Sequence, residues 1–192
     1  MSERDRLIKR IVEEKGDKAI PALIDLLFEG DAQMADIVTD ALLELDCCDQ
    51  IIKRLDSEMK KEDKNPSIFY LADIIGEKNC KGGIEYLKRL LNLVETEEEA
   101  IIVHGSLARM GFKDSEKYLL YELENEPSQD MIFDVAVALS YSDDKDIFMA
   151  IAAKASENKD LIDVLQSMCE KEPALYALLP DELREIKNDK YK

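Results

Sequence analysis

Few residues in this 192-residue chain are able to do chemistry, and their spacing argues against most reactions. His104 is the sole histidine. An imidazole is the usual proton shuttle near neutral pH and a common metal ligand. Here it stands in AIIVHGSLARMG, on one face of an apolar-patterned segment, which reads as a half-exposed structural position. One histidine also rules out a two-histidine metal site within a single chain. The four cysteines are Cys47, Cys48, Cys80 and Cys169. None forms a CxxC pair, so zinc binding and thioredoxin-like exchange lack their usual spacing. The adjacent Cys47-Cys48 pair is the one redox candidate. The simpler expectation is that these are small helix-start or core residues in a reducing compartment.

Carboxylates are abundant, in Glu97-Glu98-Glu99, Glu122/Glu124/Glu126 and Asp143-Asp144-Asp146. A calcium loop needs spaced oxygen ligands and a turning glycine, and no D-x-D-x-D-G run occurs. At helix starts such clusters complement the helix dipole, and elsewhere they solvate a face. No P-loop, GxGxxG or GxSxG is present. Lys81-Gly82-Gly83 reads as a helix lead-in because no strand precedes it. The sequence therefore predicts no catalytic residue, no metal and no cofactor.

Charge narrows the partners. The formal net charge is -17, from 43 acidic against 26 basic side chains. Such a chain repels phosphate backbones and anionic membranes, since both need clustered Lys and Arg. A basic partner would be attracted and steered, and the plainer reading is that the acidity keeps a cytosolic protein soluble. The N-terminal MSERDRLIKR has no signal-peptide core, and no run approaches the ~18 apolar residues of a membrane span. A cytoplasmic location is expected.

The elements that must position these side chains are helices. Apolar residues make up 46% and charged residues 36%, with only 7 Gly and 5 Pro, a composition rich in helix formers. In AIPALIDLLFEGD, Ile20, Leu23, Ile24 and Leu27 fall on one helical stripe. Pro21 suits the first turn. Gly30 is expected in the left-handed conformation that closes a helix, and Asp31 as the cap of the next. Met34, Ile37, Val38, Ala41, Leu42 and Leu45 then form a second stripe. Two helices of about four turns cannot bury both stripes alone.

The pattern returns at Lys15-Gly16, Leu45-Asp46, Ile75-Gly76, Met110-Gly111 and Tyr141-Ser142, a spacing of roughly 30 to 35 residues that suits stacked helical hairpins. Asn65-Pro66-Ser67, Asp114-Ser115, Glu126-Pro127-Ser128 and Asp144 or Asp146 are expected to open helices. Ten to twelve helices follow, with no strand. The chain is expected to be one domain over 1–192, with less regular capping helices from about 159 and a frayed tail from about 187.

IPALIDLLFEGDAQMADIVTDALLELD resembles a HEAT repeat, especially the short kind named after phycobilisome-lyase proteins. Pro21, Asp31, Ala41, Leu42 and the Leu45-Asp46 close match that pattern, and Ile75-Gly76 and Met110-Gly111 match its ending in later units. The similarity covers roughly residues 5 to 155. The Arg that the family often carries early in the second helix is replaced by Ala35, and later by Ala100. The resemblance implies an all-α solenoid of stacked antiparallel helix pairs, with second helices on the concave side, acting as a binding scaffold. HEAT-type hydroxylases need His-Glu pairs, absent here because Gly105 follows His104. HEAT-like DNA glycosylases need a basic groove. A lyase-type or other small-molecule-binding HEAT-like enzyme, or its accessory subunit, is the alternative, and would show an apolar pocket lined by Tyr70, His104 and cysteines.

The expected function is a non-enzymatic scaffold that binds a basic protein through an acidic concave surface. Asp36, Thr39, Asp40, Tyr70, Asp73, His104 and Ser140 are the candidate contacts, with Tyr70 as amphipathic anchor. Homo-oligomerisation through an exposed edge is a further option.

Overall fold

A computed structural model describes residues 2–125 and 129–184. Within them there are eleven α-helices, three 3-10 segments and no strand. The expected opening at Glu126-Pro127-Ser128 and the expected frayed tail lie outside the described residues. Contacts divide the chain into two compact units, Met1–Met110 and Gly111–Lys192.

The first unit contains α1 (Glu3–Lys15), α2 (Ile20–Glu29), α3 (Ala32–Leu43), α4 (Cys48–Glu58), α5 (Ile68–Glu77), α6 (Ile84–Leu90) and α7 (Glu97–Arg109). Each of α2, α4 and α6 packs on the helix that follows it. Every second helix also packs on its counterpart: α1 on α3, α3 on α5 and α5 on α7, with α2 on α4 and α4 on α6. The helices thus form two rows, and the apolar stripes explain why. Ile20, Leu23, Ile24 and Leu27 of α2 are all buried, as are Val38, Ala41 and Leu42 of α3. Burying one such side chain stabilises by about 1.5–3 kcal/mol. A lone hairpin has no surface to bury its second side against, so neighbours supply it.

The second unit repeats the scheme with α8 (Lys113–Glu124), α9 (Gln129–Leu139), α10 (Lys145–Ala155) and α11 (Leu161–Lys171). Helix α8 packs on α9 and on α10, and α11 packs on α10 and on α9. A 3-10 segment, Pro173–Leu178, closes over α11. Phe148 is the largest fully buried side chain of this unit among the described residues.

Local signals explain several helix starts. Pro21 lies in the first turn of α2. Asp31 accepts from the Met34 N–H at 2.9 Å, and Asp144 accepts from the Asp146 N–H at 2.9 Å, so both cap as expected. Thr96 and Glu99 form a reciprocal capping box at the start of α7. Three expectations are corrected. Gly30 is extended, at φ -82° and ψ 169°. A Cβ there would lie 2.8 Å from Leu26 O and from Met34 Cγ, so close packing of the turn, not a left-handed backbone, calls for glycine. Pro66 precedes α5 in a turn, where Asn65 Oδ1 accepts from the Ser67 N–H at 2.9 Å. Helix α8 begins ahead of Asp114-Ser115, with Phe112 at its N-cap.

Candidate functional site

The expected contact residues occupy two units. Asp36 and Asp40 lie one turn apart on α3 and are exposed. Thr39, between them, is half-buried, and its Oγ1 is shielded from solvent with no partner among the described residues. Its hydroxyl is therefore not presented to a partner at the surface. Tyr70 and Asp73 lie one turn apart on α5, which packs against α3. Tyr70 is half-buried, so its ring is part wall and part surface. Asp73 is not an unpaired surface carboxylate, because Arg109 of α7 donates to it at 2.6 Å. Ser140 belongs to the second unit, is largely buried, and donates its hydroxyl proton to Val137 O at 2.8 Å. Asp36, Asp40, Tyr70, Asp73 and His104 thus lie on the successively packed helices α3, α5 and α7, and Ser140 belongs to the second unit.

His104 is half-buried in α7, and burial holds its pKa below the ordinary 6.5. The neutral ring is favoured in the folded state, whereas the unfolded chain takes up a proton at its ordinary pKa. Stability therefore falls as pH drops through 6.5, and stops falling below the folded pKa. Melting temperature measured from pH 8 to 5 is expected to slope downward, and His104→Gln to abolish that slope. An unchanged slope in the variant would show that another group is responsible.

A ladder of ion pairs ties neighbouring helices in the other row. Arg54 of α4 donates to Asp25 of α2 at 2.7 Å and to Glu58 of its own helix at 2.7 Å. Its guanidinium carbon lies 4.4 Å from the Phe28 ring centroid. Glu58 is buried, and Lys61 also donates to it, at 2.7 Å. Burial alone would raise the Glu58 pKa, but hydrogen bonds from Lys61 and Arg54 outweigh it, so the carboxyl lies below its ordinary value. One unit further on, Arg89 of α6 donates to Asp56 of α4 at 3.1 Å. The signal was a recurring Asp-to-Arg separation of 29 and 33 residues.

Cysteine chemistry departs from expectation. Cys48, the first residue of α4, is disulfide-bonded to Cys80, with Cα atoms 5.6 Å apart. It is not a reduced helix-start residue. Its neighbour Cys47 is fully buried, and its thiol donates to Leu42 O at 3.2 Å. Cys169 is buried outside any disulfide.

No family model matches this chain, and neither a curated protein nor a solved structure matches it. Among the described residues no helix is long and apolar enough to cross a membrane, and no cluster of three His, Cys, Asp or Glu side chains is placed to hold a metal. An apolar hollow in the second unit is lined by Leu165, Cys169, Tyr176 and Leu179, among others. Tyr70 and His104, the residues expected to line a lyase-type pocket, do not line it.

Proposed function

We propose that the first unit is a HEAT-like stack of antiparallel helix pairs, and that it serves as a scaffold for a basic partner protein. One observation carries this reading: alternate helices pack in two rows, α1–α3–α5–α7 and α2–α4–α6. That order is how solenoids make an extended face from short helices. On this reading the α3–α5–α7 row forms the concave side, with Asp36 and Asp40 as its accessible charges and Tyr70 as its apolar anchor. An unpaired carboxylate attracts a basic partner at long range, and the attraction weakens with salt. Asp73 contributes through its pair with Arg109, so it serves the scaffold first.

The test is a double charge reversal, Asp36→Lys with Asp40→Lys. The full chain is used to capture proteins from native lysate at low and raised salt, and captured proteins are identified by mass. The expected result is a basic protein that the parent holds at low salt, releases at raised salt, and that the variant fails to hold. Melting temperature is expected to stay within about 2 °C of the parent, because exposed substitutions usually change stability by less than about 0.5 kcal/mol. Equal capture by the variant would remove the α3 face from the interface.

A further inference from the structure

The Cys48–Cys80 bond joins two sites of unlike character. Cys48 is half-exposed at the first position of α4. Helix N-termini stabilise a thiolate through their unpaired N–H groups. Cys80 is buried, 3% exposed, in the turn between α5 and the 3-10 segment Lys81–Gly83. That turn is held on several sides. Lys78 donates to Leu43 O at the end of α3 at 2.8 Å. The Cys80 N–H donates to Ile75 O at 2.9 Å, and Gly83 N–H to Cys80 O at 2.7 Å. Asn79, beside Cys80, takes φ 51°, a left-handed conformation that asparagine tolerates better than most residues. The backbone thus holds Cys80 on the buried side of the bond, and Cys48 is its more exposed end.

We propose that Cys48 and Cys80 are a reversible dithiol–disulfide pair and that Cys48 is the sulfur through which small thiols enter and leave. The co-reactant is a low-molecular-weight thiol of the glutathione class. Its thiolate attacks Cys48 Sγ, a new S–S bond forms, and the Cys48–Cys80 bond breaks. Cys80 leaves with the electron pair and takes a proton. A second thiol attacks the outer sulfur of the mixed disulfide, releasing Cys48 as the thiolate and one oxidised small-molecule disulfide. Two protein sulfurs are reduced and two small thiols oxidised. Re-oxidation runs the same steps backward, with the Cys48 thiolate as nucleophile. Cys47 stands aside, because it is buried, hydrogen-bonded to Leu42 O, and burial pushes its thiol pKa up.

The proposal does not rest on the scaffold reading, since it concerns only α4, α5 and the turn between α5 and α6. It is tested on the full chain in buffers of reduced and oxidised glutathione, with acid quenching, alkylation and peptide mapping by mass. In oxidising buffer Cys47 and Cys169 are expected to be the alkylated residues after unfolding, and in reducing buffer all four cysteines. Reduction is expected to lower the melting temperature on the order of 10 °C. Cys80→Ser is expected to trap glutathione on Cys48, whereas Cys48→Ser traps none on folded protein. Should Cys80→Ser not fold, brief exposure of the parent to reduced glutathione locates the mixed disulfide instead. Four alkylatable thiols in every buffer, or a glutathione adduct on Cys80 or Cys47 in place of Cys48, would overturn the assignment.

Discussion

Gly76→Ala is expected to destabilise the first unit by on the order of 3 kcal/mol, although Gly to Ala inside a helix normally stabilises by about 1 kcal/mol. Gly76 lies within α5, where that helix crosses α7 most closely. A Cβ at this position would fall 2.5 Å from Ser106 Cα, 2.7 Å from Ser106 Cβ and 3.0 Å from Ser106 O. Two of those atoms are backbone, so no rotamer change can relieve the clash. Ser106 is itself fully buried, with its hydroxyl donating to Ile102 O at 3.0 Å. The helices must separate, and Leu71, Ala72, Ile75, Val103 and Leu107, all buried around the crossing, lose contact together. Gly82→Ala is the matched control, since its Cβ would meet only Ile52 Cδ1 at 3.5 Å. Urea melts of both variants give the answer. A Gly76→Ala protein as stable as the Gly82→Ala protein would mean that α5 and α7 can move apart at little cost.

Arg54→Ala is the second large effect, a loss of about 2 kcal/mol. The guanidinium bridges α2 and α4 through Asp25, holds Glu58, and stacks on Phe28. Removing it leaves a buried carboxylate, 2% exposed, with Lys61 as its remaining cation. An exposed pair would matter far less, since surface ion pairs contribute about 0–1 kcal/mol. Arg54→Lys is expected to recover less than half of the loss, because an ammonium lacks the planar fork that reaches two carboxylates while lying on a ring. Thermal melts of the two variants distinguish the cases. Full recovery by lysine would reduce the contact to charge alone.

Helix identity was legible in the sequence because its causes are local. The stripe Ile20, Leu23, Ile24 and Leu27 needs only helical periodicity, and all four are buried. Asp31 and Asp144 need only to stand before a helix. The roughly 30-residue recurrence also marked real helices, and Met110-Gly111 closes α7 with Gly111 at φ 87°. What failed to show depends on distance in space. Asp73 read as a surface acid because nothing nearby in sequence pairs with it; its partner, Arg109, is 36 residues away. Cys48 and Cys80 are separated by 32 residues, outside any short cysteine motif. Gly76 read as a helix terminator, since a sequence cannot show that another backbone passes within contact of it. Of the candidate contacts, spacing off the apolar stripe is enough to place Asp36 and Asp40 at the surface and Tyr70 half-buried. Thr39 and Ser140 were misjudged because small polar residues fit helix interiors as readily as surfaces.

The ladder in the α2–α4–α6 row also says something about how such a chain can change length over generations. Helix α4 carries Arg54 for the helix before it and Asp56 for the helix after it. A segment built this way brings one half of each of two links. Repeating such a segment adds one arginine and one aspartate together, so the ladder itself gains no net charge however long it grows.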